Sequence, residues 1–359
     1  MSDYPRAERM QDIQPFRVME LLSRARQLEA EGHDIVHMEI GEPDFPSPEP
    51  VIRAVRSAIA DGDVHYTPAT GMLTLREAIA GFYLNRYGVL VDPGRIVVTP
   101  GASGALLLVL GTLLNPGQTV LMADPGYPCN RNFVRFLEGR SRTIPVTADS
   151  GYQLTAEQVE ANWDETTAAV LLASPSNPTG TMVPADEMQA ISQFVQQSGG
   201  RLLVDEIYHG LVYDGQAETI LGLNDEAFVI NSFSKYFGLT GWRIGWLVAP
   251  EATIPDIDKL AQNLFLAAPT PAQHAALAAL SPETETILEQ RREAFRQRRD
   301  YLLPALRELG FDIPVTPQGA FYLYANCERF TDNSLEFAEA LLEKTGVAVT
   351  PGLDFGSNQ

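Results

Sequence analysis

Cysteine is nearly absent: Cys129 and Cys327 are the only two in 359 residues, far apart and outside any CxxC or Cys/His spacing. This excludes a disulfide framework and a thiolate zinc site, and it suits a reducing, cytoplasmic setting. Long apolar runs are missing too, so no segment is a candidate membrane span. The charged start Met-Ser-Asp-Tyr-Pro-Arg has no apolar signal core. Basic charge is in deficit. A formal net charge of -20 repels nucleic acid and anionic membranes, which removes both as main partners. A small anionic ligand must therefore be captured by a local cluster of basic groups.

What is present is ordinary globular composition, 45% hydrophobic and 20% charged, in a chain long enough for one large and one smaller domain. A helix from about Arg17 to Gly32 and a short apolar run, Val36 to Ile40, precede a proline-rich irregular stretch from Gly41. A further helix covers about Glu49 to Asp61. From Arg95 to Trp246 the chain alternates near-continuous apolar runs with helical patterns. Strands are expected at Ile96–Thr99, Val120–Ala123, Ala169–Ala173, Arg201–Val204, Phe228–Asn231 and Ile244–Val248. Apolar strands separated by helices indicate an α/β fold with a mainly parallel, three-layer central sheet. After Pro250 helices dominate to Leu309. A strand at Phe321–Tyr324, a helix at about Ser334–Lys344 and a strand at Val347–Val349 then complete a small α+β unit. The expected division is a large domain at 46–285 and a small one at 286–359, completed by residues 1–45.

Chemistry concentrates at the ends of the strands. Ser232-Phe-Ser234-Lys235-Tyr-Phe-Gly238-Leu-Thr-Gly241-Trp-Arg243 surrounds one lysine with hydroxyls, glycines and an arginine. A lysine forms an imine with an aldehyde when part of its population is neutral, and the surrounding groups suit an anion. Pyridoxal phosphate (PLP) carries both an aldehyde and a phosphate. A lone lysine in a loop is more often simply solvated; agreement among other segments outweighs that reading here.

Asp205 closes one strand and opens Asp205-Glu-Ile-Tyr208. Its place suits a carboxylate facing a pyridine nitrogen, with a helix N-cap as the bland alternative. Ser174-Pro-Ser-Asn177-Pro178-Thr-Gly180 ends a neighbouring strand and offers an amide donor. Asp124-Pro-Gly-Tyr127-Pro ends a third with an aromatic ring for a flat cofactor. Thr99-Pro-Gly101-Ala102-Ser103-Gly104 joins a strand to a helix, where free amides make a phosphate cradle. With Asp124 downstream it imitates a dinucleotide fingerprint, but the glycines read G-x-x-G rather than G-x-G-x-x-G, and a dinucleotide would leave Lys235 without a role.

Ser-Asn-Pro-Thr-Gly, Asp-Glu-Ile-Tyr and Ser-x-Ser-Lys-x-x-Gly-x-x-Gly-x-Arg together resemble the class I/II aminotransferases, PLP enzymes of fold type I in the aspartate/aromatic aminotransferase subgroup. The likeness runs from Gly41-Glu-Pro-Asp-Phe to Pro351-Gly-Leu-Asp-Phe-Gly. It implies that Lys235 carries the imine and shuttles the α-proton, while Asp205 holds the ring nitrogen protonated. Asn177 and Tyr208 would serve the phenolate oxygen, and Tyr127 would stack on the ring. Ala102, Ser103, Ser232 and Arg243 would hold the phosphate, joined by Tyr66 from the other subunit of a homodimer. Gly41, with Asn177, would meet the substrate. Asp124-Pro125 and Asn177-Pro178 are expected cis.

The implied activity is a ping-pong exchange of an amino group between an L-amino acid and a 2-oxo acid, with no metal. A C–S or β-lyase on the same fold is the alternative. A PLP-binding regulator domain is a further one, weakened because no basic helix-turn-helix segment appears. The resemblance also places an arginine for the substrate carboxylate beyond Pro351-Gly-Leu-Asp-Phe-Gly356, where only Ser-Asn-Gln359 follows. The expectation is a natural product about thirty residues longer, sized by one helix and its connection. This chain would then bind PLP but transaminate poorly, with Arg17 as a weak stand-in.

Overall fold

A computed structural model describes residues 4–357. The nine strands among these residues are β1 (Val36–His37), β2 (Ile96–Thr99), β3 (Thr119–Asp124), β4 (Arg140–Pro145), β5 (Thr167–Ala173), β6 (Arg201–Asp205), β7 (Phe228–Ser232), β8 (Gly245–Val248) and β9 (Val347–Ala348). The helices are α1 (Val18–Ala30), α2 (Glu49–Ala60), α3 (Leu73–Tyr87), α4 (Gly101–Leu113), α5 (Pro128–Phe136), α6 (Ala156–Ala161), α7 (Ala185–Gln197), α8 (Ile254–Leu264), α9 (Thr270–Ala279), α10 (Pro282–Leu309) and α11 (Ser334–Thr345).

Seven strands form one sheet in the order β2-β8-β7-β6-β5-β3-β4. β8 alone runs antiparallel to its neighbours β2 and β7. Alternate strand residues serve two cores, as the two-residue period of a strand requires. Val98, Leu172 and Val204 pack with α3, α7 and α9, whereas Val97, Leu171 and Leu203 pack with α4 and α8. The result is the expected α/β arrangement of a mainly parallel sheet between two helical layers. Parallel strands all deliver their carboxyl ends to one edge. Thr99, Asp124, Ala173, Asp205 and Ser232 therefore end their strands at the same side.

A third core joins the two ends of the chain. Leu21, Ala25 and Leu28 of α1 meet Ala338 and Leu342 of α11 and Ala348 of β9. Here β1 pairs in parallel with β9, Val36 opposite Val347.

Three elements escape the sequence pattern, the short α6 among them. α3 is apolar on most sides, so its inward residues Leu75, Ile79 and Tyr83 do not stand out. β4 is an edge strand that buries only Ile144, and it ends at Pro145, as an edge permits. One expected strand is corrected: Phe321–Tyr324 is irregular, with isolated bridges only at Gly319 and Asn326. Ala320 at φ 60° breaks the extended backbone there. Cys129 and Cys327 are free and half-buried.

Candidate active site

Lys235 follows β7 in a turn anchored by the Ser234 N–H donating to Ser232 Oγ at 3.0 Å. Its Nζ reaches across to donate to the Gly41 carbonyl at 2.6 Å. Burial lowers the amine to about 8, against the raising influence of Glu42 and, more weakly, Asp205. A buried ammonium gives up its proton more readily because the low-dielectric surroundings disfavour the charge. Part of the amine is thus neutral near physiological pH.

Asp205 lies at the end of β6, only 7% exposed. Burial pushes its carboxyl up to about 7, with the Ile207 N–H and Lys235 pulling the other way. Oδ1 accepts the Ile207 N–H at 3.1 Å within a turn, and no helix begins there, so Asp205 is not the N-cap read as an alternative. Tyr208 ends the same turn and hydrogen-bonds through its hydroxyl to that of Tyr322. Asn177 Nδ2 lies 3.5 Å from the same Tyr322 hydroxyl. Asn177 Oδ1 is buried without any partner.

Arg243, at φ 53°, turns its guanidinium back to Thr240 O at 3.0 Å and over Gly101. Gly101 itself is at φ 70°, a conformation that favours glycine, and a Cβ there would sit 2.9 Å from Arg243 Nη2. Pro100 caps α4 with no side-chain hydrogen bond, leaving the first-turn amides, among them those of Ala102 and Ser103, for an outside acceptor. Ser232 Oγ donates to Ile244 O at 3.4 Å. Asp124, Tyr127 and Asn177 line one cleft together with Phe355. Burial raises the Tyr127 hydroxyl far above its ordinary range, which marks the ring as a neutral, largely buried surface.

The structure brings Lys235, Asp205, Tyr208, Asn177, Tyr127 and Gly41 to one edge of the sheet, with Arg243 at the start of α4. Tyr66 is not among them. It is 86% exposed, on a segment held by Thr270 Oγ1 donating to His65 O at 2.6 Å. Arg17 lies beside Asp354, Nε to Oδ1 4.0 Å. The expected cis bonds at Asp124-Pro125 and Asn177-Pro178 are present, with a third at Ser174-Pro175.

Sequence reasoning missed Tyr322 and Phe321. Tyr322 bridges Tyr208 and Asn177, and a Cβ on Gly41 would meet its hydroxyl at 2.4 Å. Phe321 places its ring 5.9 Å from Lys235 Nζ. The segment's strand-like composition concealed them; the one available signal was Gly319 just ahead of the aromatics.

These residues fit pyridoxal phosphate. The unpartnered Asn177 Oδ1, the free amides of α4 beside Arg243 and a lysine not tied up in an ion pair are what an anionic aldehyde needs. Fold and sheet edge together define a PLP-dependent transferase. Residues 33–359 match the sequence profile described as "Aminotransferase class I and II", and the chain belongs to that family.

The chain is similar to the valine–pyruvate aminotransferase of Mycobacterium tuberculosis, with 39% identity over 96% of this chain and 89% of that protein. It is 36% identical to the (5-formylfuran-3-yl)methyl phosphate transaminase of Methanocaldococcus jannaschii, over 98% of this chain and 91% of the relative. A crystal structure of an aminotransferase from Mycobacterium tuberculosis superposes with a TM-score of 0.95 at 38% identity, covering 99% and 93% of the two chains. The activity is therefore PLP-dependent transamination, and the lyase and regulator alternatives are set aside. No helix among the described residues is long and apolar enough to cross a membrane.

Proposed function

We propose that Lys235 carries the cofactor and moves the substrate's α-proton, in an enzyme acting on an L-amino acid and a 2-oxo acid. The observation that supports this most is the juxtaposition of Lys235, lowered to about 8 by burial, with Asp205, raised to about 7 at the same edge. Strongly perturbed groups gathered at one sheet edge mark a functional site.

When bound, pyridoxal phosphate supplies an electron sink for the charge left by the departing proton. Asp205 holds a proton on the ring nitrogen. Tyr208 and Asn177 orient the ring's phenolate oxygen, and Tyr127 covers its face. The amides of Ala102 and Ser103, with Ser232 and Arg243, bind the phosphate. Gly41 and Asn177 meet the substrate. One positioned lysine accounts for roughly 10²–10⁴-fold of the rate.

The proposed enzyme is a cytoplasmic homodimer. Exposed Tyr66 would complete the phosphate site of a second copy, which accounts for a large aromatic left in solvent on a well-anchored segment. The proposed division follows the expected ranges, 46–285 for the large domain and 286–359 with 1–45 for the small one. The separate core joining α1, α11 and β9 supports it. The relatives' names share transamination and differ in substrate, so the proposal extends to the substrate class only.

The test is a single-turnover screen. Holoprotein mixed with individual L-amino acids, without an acceptor, should lose its cofactor absorbance band and release one equivalent of 2-oxo acid. A 2-oxo acid should restore the band. Sustained release of ammonia and pyruvate without any acceptor would contradict transamination.

A further inference from the structure

Directly behind Asp205 lies a polar cluster that the reaction above does not use. Glu206 and His209 are 1% and 3% exposed, within the apolar core beneath the sheet. Glu206 Oε1 accepts from Thr219 Oγ1 and from the Ile220 N–H, both at 2.9 Å. Its Oε2 has no partner, and neither has His209 Nδ1, although the two stand 3.5 Å apart. The other side of the imidazole is hydrogen-bonded to the Ser174 backbone carbonyl. Because Nδ1 is the unpartnered nitrogen, that bond belongs to Nε2, which must carry the hydrogen. Nδ1 is then an acceptor, and a carboxylate beside it would leave two buried lone pairs facing each other. A proton on Glu206 Oε2 resolves both vacant positions.

We propose that Glu206 and His209 form a neutral acid–imidazole pair, Glu206 Oε2–H donating to His209 Nδ1, that positions the Asp205–Tyr208 turn against the Ser174–Asn177 loop. Both are positioning residues. The chain of contacts runs from Thr219 through Glu206 and His209 to Ser174, and so links the two segments that present Asp205 and Asn177. Backbone bonds close the frame: the His209 N–H donates to Glu206 O at 3.0 Å, and the Ser174 N–H donates to Asp205 O at 3.1 Å.

Electrostatics agree with the geometry. Burial pushes Glu206 up to about 8, with Asp205 adding to the rise, and drives His209 down to about 3, helped by the Arg86 charge. An ion pair would shift both groups the other way. The remaining titratable neighbours, Tyr83 and Tyr87 of α3, are held neutral by burial.

The inference rests on the proposed roles of Asp205 and Asn177 only for its catalytic consequence; the proton's position is tested independently. In holoenzyme with ¹⁵N-labelled histidine, His209 should show a neutral ring at pH 7 with hydrogen on Nε2. An imidazolium signature, or hydrogen on Nδ1, would overturn the pair.

Glu206→Gln keeps an acceptor for Thr219 and Ile220 and a donor for Nδ1, so kcat/KM should stay within about two-fold of the parent. Glu206→Ala leaves those partners unsatisfied and should lower kcat about ten-fold or more. It should also displace the pH midpoint of the cofactor's absorbance, a readout that loss of packing alone would not move. If Glu206→Ala does not fold, the ¹⁵N spectrum and Glu206→Gln still decide. A large loss in Glu206→Gln would show that the carboxylate charge is required and the neutral pair is wrong.

Discussion

Asp205 and Glu206 are successive residues where β6 ends, pointing to opposite sides of the sheet. Both are buried, and burial raises both, to about 7 and about 8. Their surroundings differ. Asp205 has a lysine at its edge, whereas Glu206 faces a threonine, a backbone amide and an uncharged imidazole. Desolvation alone therefore does not assign a role. A raised carboxyl beside a cation at the sheet edge is available to a ligand's proton, while the same carboxyl sealed in the core against a neutral acceptor holds its own proton and acts as a fastener.

The largest effect expected from this contrast is on turnover. Asp205→Asn should lower kcat by about 10²–10³-fold, the scale of losing one preorganised electrostatic partner. Steady-state kinetics beside Glu206→Gln give the comparison. Equal losses in the two variants would break the distinction between the two faces.

A smaller effect concerns the exposed end of the site. If Tyr66 serves the phosphate of a second copy as proposed, Tyr66→Phe should weaken cofactor retention about ten-fold. Mixing Tyr66→Phe chains with Lys235→Ala chains should raise activity above the sum of the two alone, since one composite site in each hybrid is intact. Monomers at assay concentration, or no gain on mixing, would remove Tyr66 from the shared site.

The smallest effect is on stability. The raised carboxyls are neutral when folded and ionised when unfolded, so their contribution is complete below the ordinary carboxylate range. It is lost as pH rises through their folded values. His209, lowered to about 3, works the other way, its contribution being lost as pH falls below its ordinary value. Lys235, lowered to about 8, likewise opposes the carboxyls toward the upper end. Cofactor-free protein should therefore lose urea resistance from pH about 6.5 to about 7.5, and Glu206→Gln should lose less of it. An identical pH slope in the two proteins would contradict a protonated Glu206.

Much of this was legible in the sequence because it is local. Apolar runs mark the buried parallel strands, and the Lys235 segment holds its hydroxyls, glycines and arginine within a dozen positions. What escaped is what only tertiary contact creates. Tyr322 becomes a site residue because the strap from Gln318 is tied to Gly180, whose carbonyl accepts the Gln318 and Gly319 N–H groups at 2.9 and 3.0 Å. Edge strand β4 lacks the two-sided burial that makes its neighbours readable. Glu206 stood in full view within Asp205-Glu-Ile-Tyr208, yet its facing imidazole and the missing partners around it appear only once the chain has folded.

The central claim is that Lys235, among the chain's lysines, carries the cofactor. Borohydride reduction of the yellow holoprotein, followed by peptide mass mapping, tests it directly. The account predicts a reduced cofactor adduct on Lys235 alone, with Lys235→Ala unlabelled and inactive while still retaining some cofactor. Lys259 and Lys344 are both exposed, and recovery of the adduct on either would contradict the account.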